Sequence, residues 1–343
     1  MEIIGGLDVH RKQITFDYIE IDTGEVKTGQ IRPATRENLR NWLSRFEGEE
    51  ASFALEATTG WRFVVEELQR AGCEPHLAEP ADTRTMRGKK KRAKTDRLDA
   101  RHLRDLLHQG RLPQSWIPPS HIQDLRLLVR MRKNLVDERT AFLQRIHAQL
   151  FHHGPPQERN LLSSDRRGQF EEMELPGAAR KSIELSLKMI DHINEELGPI
   201  EEEIRSFARR QAGCKALMGH YGIGELTSVA ILAELGDTRR FRSSRHAVRY
   251  AGLDVTVSQS DDKRAAGKLS RQGPPTLRWA LFEAAQCAWR KGSPDHDYYI
   301  ESKERLGGNR ACLSIARKLV RKAHHTLREL GEEALLEPVG TVE

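Results

Sequence analysis

Cysteine is scarce in this 343-residue chain, and the four present (Cys73, Cys214, Cys287 and Cys312) lie far apart. No CxxC pair offers a zinc site, and no secretory segment suggests disulfides, so the four read as reduced core residues. Long apolar runs are missing as well. No stretch approaches the length that crosses a bilayer, and MEIIGGLDVHRK turns strand-like at once. That points to a soluble, cytoplasmic protein with no membrane partner. A complete P-loop is lacking: GAARKS at 177–182 has no second glycine and GIGELTS has no lysine. The histidines His10, His152, His153, His324 and His325 show no spacing that suggests a metal site, and none is assigned a role.

Acids are missing from one place in particular. Between Arg84 and Lys94 stand seven basic residues (Arg84, Arg87, Lys89, Lys90, Lys91, Arg92 and Lys94) and no carboxylate. A phosphate-contacting surface looks like this in sequence, although a solvated loop is the commoner explanation of such a run taken alone. Over the whole chain 56 Lys and Arg face 50 Asp and Glu, a formal +6 within a 31% charged fraction, so the distribution matters more than the net value. The length sets a prior of two or three domains.

What is present falls into two regimes. EIIGGLDV, ITFDYIEI and VKTGQI predict three antiparallel strands, followed by a helix over 36–46, the strand ASFALE, a helix over 61–71 and the strand EPHLAE. That order predicts an RNase H-like α/β domain with a mixed sheet. Beyond it the pattern becomes all-α. A long helix is expected over 122–152 and a second over 178–210, whose near-heptad stripe suits pairing either with each other or with a second subunit. HHGPPQERNLLSSDRRGQ between them reads as loop. From Cys214 onward, CKALMGHYGIGELTSVAILAELGD predicts two helices joined at Gly222–Gly224, either a helix-hairpin-helix that approaches phosphate or a plain packing unit. The segment GLDVTVSQSDDKRAAGKLSRQG reads as irregular, ahead of a helix over 278–290 and a basic final helix over 311–330.

Four carboxylates stand out in the first regime. Asp8 is expected near the middle of the first strand, Glu56 at the end of a neighbouring one, and Asp96 and Asp99 three apart at a helix start with Thr95 as N-cap. Acids in a first helical turn are ordinary, because exposed N–H groups favour negative charge there. Four acids converging without positive partners would repel, and Mg2+ is the natural compensation. Two such ions about 4 Å apart can activate an attacking oxygen and stabilise a leaving one. Mn2+ can stand in for them.

The segments GLDVH, ALEATTGW and KTDRLDARHL resemble the three amino-terminal signatures of the DEDD insertion-sequence transposases of the IS-one-ten type, relatives of the Piv DNA invertases. The likeness continues through YGIGELTSVAILAELGD, FRSSRHAVRYAGL and KLSRQG, and so covers most of the chain. It implies a RuvC-like catalytic domain over 1–112, a long-helix coiled-coil region over 113–213 and a carboxyl-terminal transposase domain over 214–343. It also implies that Asp8, Glu56, Asp96 and Asp99 bind the metal and that a serine after the AGL element is the nucleophile. Counting along this sequence places that serine at Ser260, with Ser258 as the competing candidate. Family members often have glycine directly after it, whereas Asp261 and Asp262 follow here. Arg264, Lys268 and Arg271 are candidates to hold the scissile phosphate.

The implied activity is DNA recombination through a phosphoserine ester, which keeps the energy of the broken bond and needs no ATP to reseal. The implied partners are donor and target double-stranded DNA, an element-encoded bridge RNA, and further copies of the chain forming dimers that join into tetramers. Two other readings stay open on the residues alone. One is a structure-selective Mg2+ nuclease that uses water in place of serine. The other is a non-catalytic nucleic-acid scaffold in which the acids are helix caps.

Overall fold

The computed structural model describes residues 1–86, 95–154, 173–255, 258–260, 263–265, 267 and 269–338, with 258–260 and 263–265 described in backbone only. The chain forms two compact units, Met1–Ile117 and Pro118–Glu343.

The first unit is built on strands β1 (Glu2–Val9), β2 (Ile14–Glu20), β3 (Val26–Ile31), β4 (Glu50–Glu56) and β5 (Glu74–Ala78). They form one sheet in the order β3-β2-β1-β4-β5. β1 and β3 run antiparallel to β2, while β4 is parallel to both β1 and β5. This is the mixed five-stranded, RNase H-like arrangement expected from the sequence. Helices α1 (Arg36–Leu43) and α2 (Trp61–Arg70) supply Trp42, Leu39, Val64 and Leu68 to a core with Phe16, Tyr18, Phe46 and Phe53. The aromatic rings there meet edge-on or tilted, such as Trp42 and Phe46 with centroids 4.9 Å apart. A fully buried Glu67 on α2 is gripped by Arg36, Arg40 and Arg70 at 2.5 to 2.8 Å, which satisfies a charge that would otherwise be costly to bury.

After β5 come α3 (Pro80–Met86) and α4 (Asp96–His108). The sequence reading passed straight from β5 to the basic run; α3 escaped it because seven residues with two threonines and no apolar stripe carry little helical signal. α4 crosses the sheet face opposite the aromatic core, where Ala54, Ala78, Leu103, Leu106 and Leu112 pack together. The glycine pair in β1 explains how close that crossing is. A Cβ on Gly5 would meet the Phe53 ring at 2.4 Å, and one on Gly6 would lie 2.0 Å from the Ala100 carbonyl oxygen of α4. Each glycine serves a different side of the same strand, since successive residues alternate between faces.

The second unit is mainly helical. α5 (Ser120–His152) and α6 (Gly177–Arg210) pair antiparallel, burying Ile146, Leu150, Ile183 and Ile190 in one cluster. Arg132 binds Glu201 at 2.7 Å farther along the pair. Of the two pairings open to these helices, contact with each other is therefore realised within one chain. α7 (Ala212–Met218) leads to α8 (Glu225–Leu235), where every residue from Ser228 to Leu235 is buried. A helix apolar all round belongs at the centre of its unit. Its Glu234 is bound by Arg130 at 2.7 Å. α9 (Ser244–Tyr250), the strands β6 (Ser258–Ser260) and β7 (Lys263–Ala265), α10 (Pro275–Gln286), α11 (His296–Leu306) and α12 (Gly308–Leu330) complete it.

Two features differ from expectation here. The segment read as irregular contains the β6–β7 hairpin, and α9 and α11 were not foreseen. Gly222 is left-handed with φ 90°, and a Cβ there would meet the Ala284 carbonyl at 2.3 Å, so the turn before α8 is pressed against α10. Among the described residues no helix is long and apolar enough to cross a membrane.

Candidate active site

Asp8 lies one residue from the carboxyl end of β1, not near the middle of the strand as expected. It stands opposite Thr15 of β2. On the other flank the parallel register runs to Leu7 opposite Leu55, so Asp8 and Glu56 are the next residues along their two strands. α4 begins above this edge. Thr95 caps it, its hydroxyl accepting from the Leu98 N–H at 3.3 Å, and Asp96 and Asp99 occupy its first turn. The contact of α4 on Gly6 therefore brings acids of a helix over an acid of the central strand.

The closest grouping is Asp8, His10 and Asp96. The Nε2 of His10 lies 3.0 Å from Oδ2 of Asp8 and 3.6 Å from Oδ1 of Asp96. One ligand atom from each of the three falls within 4.8 Å of the others, as a shared cation requires. The Gln13 side-chain amide donates to Oδ2 of Asp96 at 3.0 Å and fixes its orientation. Asp99 is near enough to act on Asp8 through its charge. Neither Asp99 nor Glu56 belongs to the three-residue group, and both make contacts of their own.

Asp8 and Asp17 are both acids whose carboxyls burial pushes upward, and they differ in their cationic partners. Burial pushes the Asp8 carboxyl above the usual carboxylate range; the His10 contact opposes this, and Asp99 and Asp96 add to it. Asp17, two residues further along the same face of β2 from Thr15, is fully buried but is held by Arg104 and, at 3.5 Å, by Arg101. Among the described residues Asp8 has only His10 in that role. Its side chain is 17% exposed and that of Asp96 45%, so ions from solution can reach the group. Thr15 Oγ1, on the residue opposite Asp8, is buried with no hydrogen-bond partner among the described residues. Two carboxylates suit Mg2+, which prefers oxygen and keeps several waters, and an imidazole nitrogen extends the fit to Mn2+.

His10 and Gln13 carried no role in the sequence reading. The signal for His10 was its place two residues after Asp8, because an i, i+2 pair on extended chain shares a face. Gln13 is legible only once the turn after β1 is closed. Of the basic residues, Arg84 is exposed in the last turn of α3, and Arg87, Lys89, Lys90, Lys91, Arg92 and Lys94 lie outside the described residues.

In the second unit Ser260 ends β6 opposite Lys263, and Ser258 pairs with Ala265. Asp261, Asp262 and Lys268 lie outside the described residues. Arg264 is placed by its backbone in β7, opposite Gln259. An isolated bridge between Val255 and Leu269 closes the root of the hairpin. Arg271 follows it, exposed, with a left-handed φ of 53°.

Comparison with known proteins bears on both units. A family model for DEDD transposases of the IS110 type matches residues 5–155, and one described as Transposase IS116/IS110/IS902 family matches residues 214–300. The transposase for insertion sequence element IS1111A of Coxiella burnetii is 27% identical over 239 residues, covering 66% of this chain. A putative transposase, y4rJ, of Sinorhizobium fredii is 28% identical over 277 residues, covering 74%. The insertion element IS116 44.8 kDa protein of Streptomyces clavuligerus is 24% identical over 279 residues, covering 66%. The chain spans 64% of the length of the Coxiella relative and 69% of each of the other two. A DEDD transposase domain implies a divalent metal, in keeping with the Asp8, His10 and Asp96 group. With one model matching from the sheet unit on through residue 155 and the other matching residues 214–300 of the helical unit, the chain belongs to the IS116/IS110/IS902 family of transposases with a DEDD amino-terminal domain.

Proposed function

We propose that this chain cuts and rejoins donor and target double-stranded DNA by transesterification at Ser260, with Asp8, Glu56, Asp96 and Asp99 serving one or two divalent cations. The observation that carries this reading is the meeting of Asp8 and Asp96, residues far apart in the chain, around one point at the carboxyl edge of β1. When bound there, a divalent cation supplies charge stabilisation to phosphoryl oxygens and lowers the pKa of a nearby hydroxyl.

The chain's own residues do the rest. Asp8 and Asp96 provide the anionic cradle, Gln13 orients Asp96, and His10 offers a ligand nitrogen beside Asp8. The Ser260 oxygen forms a bond to phosphorus as the bond from phosphorus to a deoxyribose oxygen breaks. The serine proton passes to that leaving oxygen, and attack of another deoxyribose hydroxyl reverses the exchange and frees the serine. Arg264, Lys268 and Arg271 flank the hairpin as candidates to hold the phosphate.

The same proposal includes a bridge RNA that selects donor and target, which leaves the protein to grip backbones rather than read bases; the basic run ending at Lys94 suits that task. It includes assembly into dimers and tetramers in which the acids of one subunit meet the serine of another. Leu127 and Met131, exposed at 64% and 41% on α5, support a partner surface there. The long-helix region 113–213 acts as the connection between the catalytic and serine-bearing parts.

The test is covalent trapping. The full chain is incubated with Mg2+, labelled DNA from the flanks of its own coding sequence, and RNA transcribed from them, then denatured. A labelled protein adduct is expected from wild type and is expected to be absent from Ser260→Ala, Asp8→Ala and Asp96→Ala. An adduct from Ser260→Ala moves the role to Ser258. Cleavage with no adduct in wild type replaces the serine by water, and DNA binding with neither adduct nor cleavage in wild type leaves only a scaffold.

A further inference from the structure

A cavity of about 710 Å³ opens within the second unit at the root of the β6–β7 hairpin, where Val255 and Leu269 pair. Its walls are of two kinds. Arg271, Arg310, Ser314 and Arg317 are its cationic and polar lining residues, while Leu269 and Leu313 are among its apolar ones. Arg310, Ser314 and Arg317 follow one another at four and three residues along α12, and so share one face of that helix.

Two of the three arginines are tied to the backbone nearby. Arg317 donates from Nε to the Leu253 carbonyl at 2.6 Å. Arg271 is the one non-glycine residue with a left-handed φ among the described residues, and its N–H donates to the Gly252 carbonyl at 3.3 Å. Such a conformation is strained for a residue with a Cβ and persists where the surroundings enforce it. Asp254, the acid whose charge reaches Arg317, accepts a hydrogen bond from Ser270. Three arginines among the lining residues make the cavity suited to an anion.

We propose that this cavity receives a single unpaired nucleotide of the DNA strand, its phosphate on Arg271, Arg310 and Arg317 and its base or sugar against Leu269 and Leu313. The space is far larger than a bare phosphate needs and falls in the range of small-molecule sites. Its half-apolar, half-cationic lining matches a nucleotide's two ends. A base stacked in a duplex cannot enter, so occupancy requires an extruded or single-stranded nucleotide. This rests on the reading of Ser260 as nucleophile. Five residues separate Val255 from Ser260, at most about 18 Å of extended chain, so a nucleotide held at the root shares a strand with a phosphate presented at the hairpin's end. The cavity thus selects DNA already unpaired beside the cut.

The test separates binding from chemistry. Fluorescence anisotropy in EDTA compares a labelled DNA duplex carrying a central single-nucleotide bulge with the same duplex fully paired, using the full chain. Wild type is expected to bind the bulged duplex about tenfold more tightly, a preference of the size that one pocketed base supplies. Leu313→Trp and Ser314→Trp each place an indole in the cavity, and each is expected to abolish the preference in a protein whose circular dichroism shows it folded. Arg310→Ala is expected to lower the slope of log affinity against log salt by about 1. Equal binding of the two duplexes by wild type, or a preference that survives in both folded tryptophan variants, overturns the proposal. A stronger preference for the same bulge in RNA also overturns it, by assigning the cavity to an RNA partner. Adduct formation without a bulge preference defeats the cavity alone; a bulge preference without any adduct defeats the serine reading alone.

Discussion

Replacing Gly6 by alanine tests whether the docking of α4 creates the metal group. The added Cβ would lie 2.0 Å from the Ala100 carbonyl oxygen, 2.6 Å from the Arg104 backbone nitrogen and 3.0 Å from the Leu103 Cβ. The first two are backbone atoms inside a helix, so no rotamer change relieves them. Restoring an ordinary 3.4 Å contact from 2.0 Å requires α4 to retreat by about 1.4 Å relative to β1. Overpacking of this kind costs about 3 kcal/mol. The retreat moves Asp96 and Asp99 away from Asp8 by a similar distance, and a misplacement of about 1 Å in a reacting constellation costs about 100-fold in rate. Mn2+ binding followed by electron paramagnetic resonance, paired with urea unfolding, reads both consequences without needing a substrate. We expect Mn2+ affinity to fall at least tenfold and the unfolding midpoint to drop. Gly177→Ala, where a Cβ meets nothing within 4 Å, is the control and is expected to change stability by less than about 0.5 kcal/mol. A Gly6→Ala protein with wild-type Mn2+ affinity and midpoint would refute the claim that this contact sets the site.

Glu67 carries a pH-dependent share of the first unit's stability. Its carboxyl is held down at about 2 from 4.5, chiefly by the Arg40 hydrogen bond working against burial, with Arg36 and Arg70 adding to it. Because the folded value lies below the unfolded one, the contribution is complete above pH 4.5 and is lost as pH falls toward 2; with three partners half in water it amounts to about 2–3 kcal/mol, and Glu67→Gln is expected to flatten that part of the denaturant-derived pH profile. Arg104→Met leaves Asp17 buried with a weaker partner in Arg101, and is expected to cost about 3 kcal/mol in chemical unfolding, with the double variant Asp17→Asn, Arg104→Met recovering part of it. Neutralising Lys89, Lys90 and Lys91 together is expected to weaken DNA binding and to reduce its salt slope by about 3; an unchanged slope removes that run from the contact surface.

What was legible in the sequence follows from which interactions are local. The three amino-terminal strands announce themselves because Ile14, Phe16 and Tyr18 alternate with Thr15, Asp17 and Ile19, and the core they enter is strongly aromatic. The α5–α6 pair is equally plain, since its apolar stripe is continuous over many turns. The β6–β7 hairpin was hidden for the opposite reason. SQS and KRA carry no alternating apolar letters to announce a strand; the structure pairs their backbones, with the Val255–Leu269 bridge at the root. The same division runs through the site. Asp8 and Asp96 could be named from their settings, a strand carboxylate and a helix-start carboxylate. His10 and Gln13 reach them only because the β1–β2 turn folds back beneath the start of α4. How near α4 comes is decided by a missing side chain, Gly6, whose meaning depends on what lies above it. The site is thus written twice: its charged residues as visible letters, and the space that brings them together as a glycine that any reading of charge or periodicity passes over.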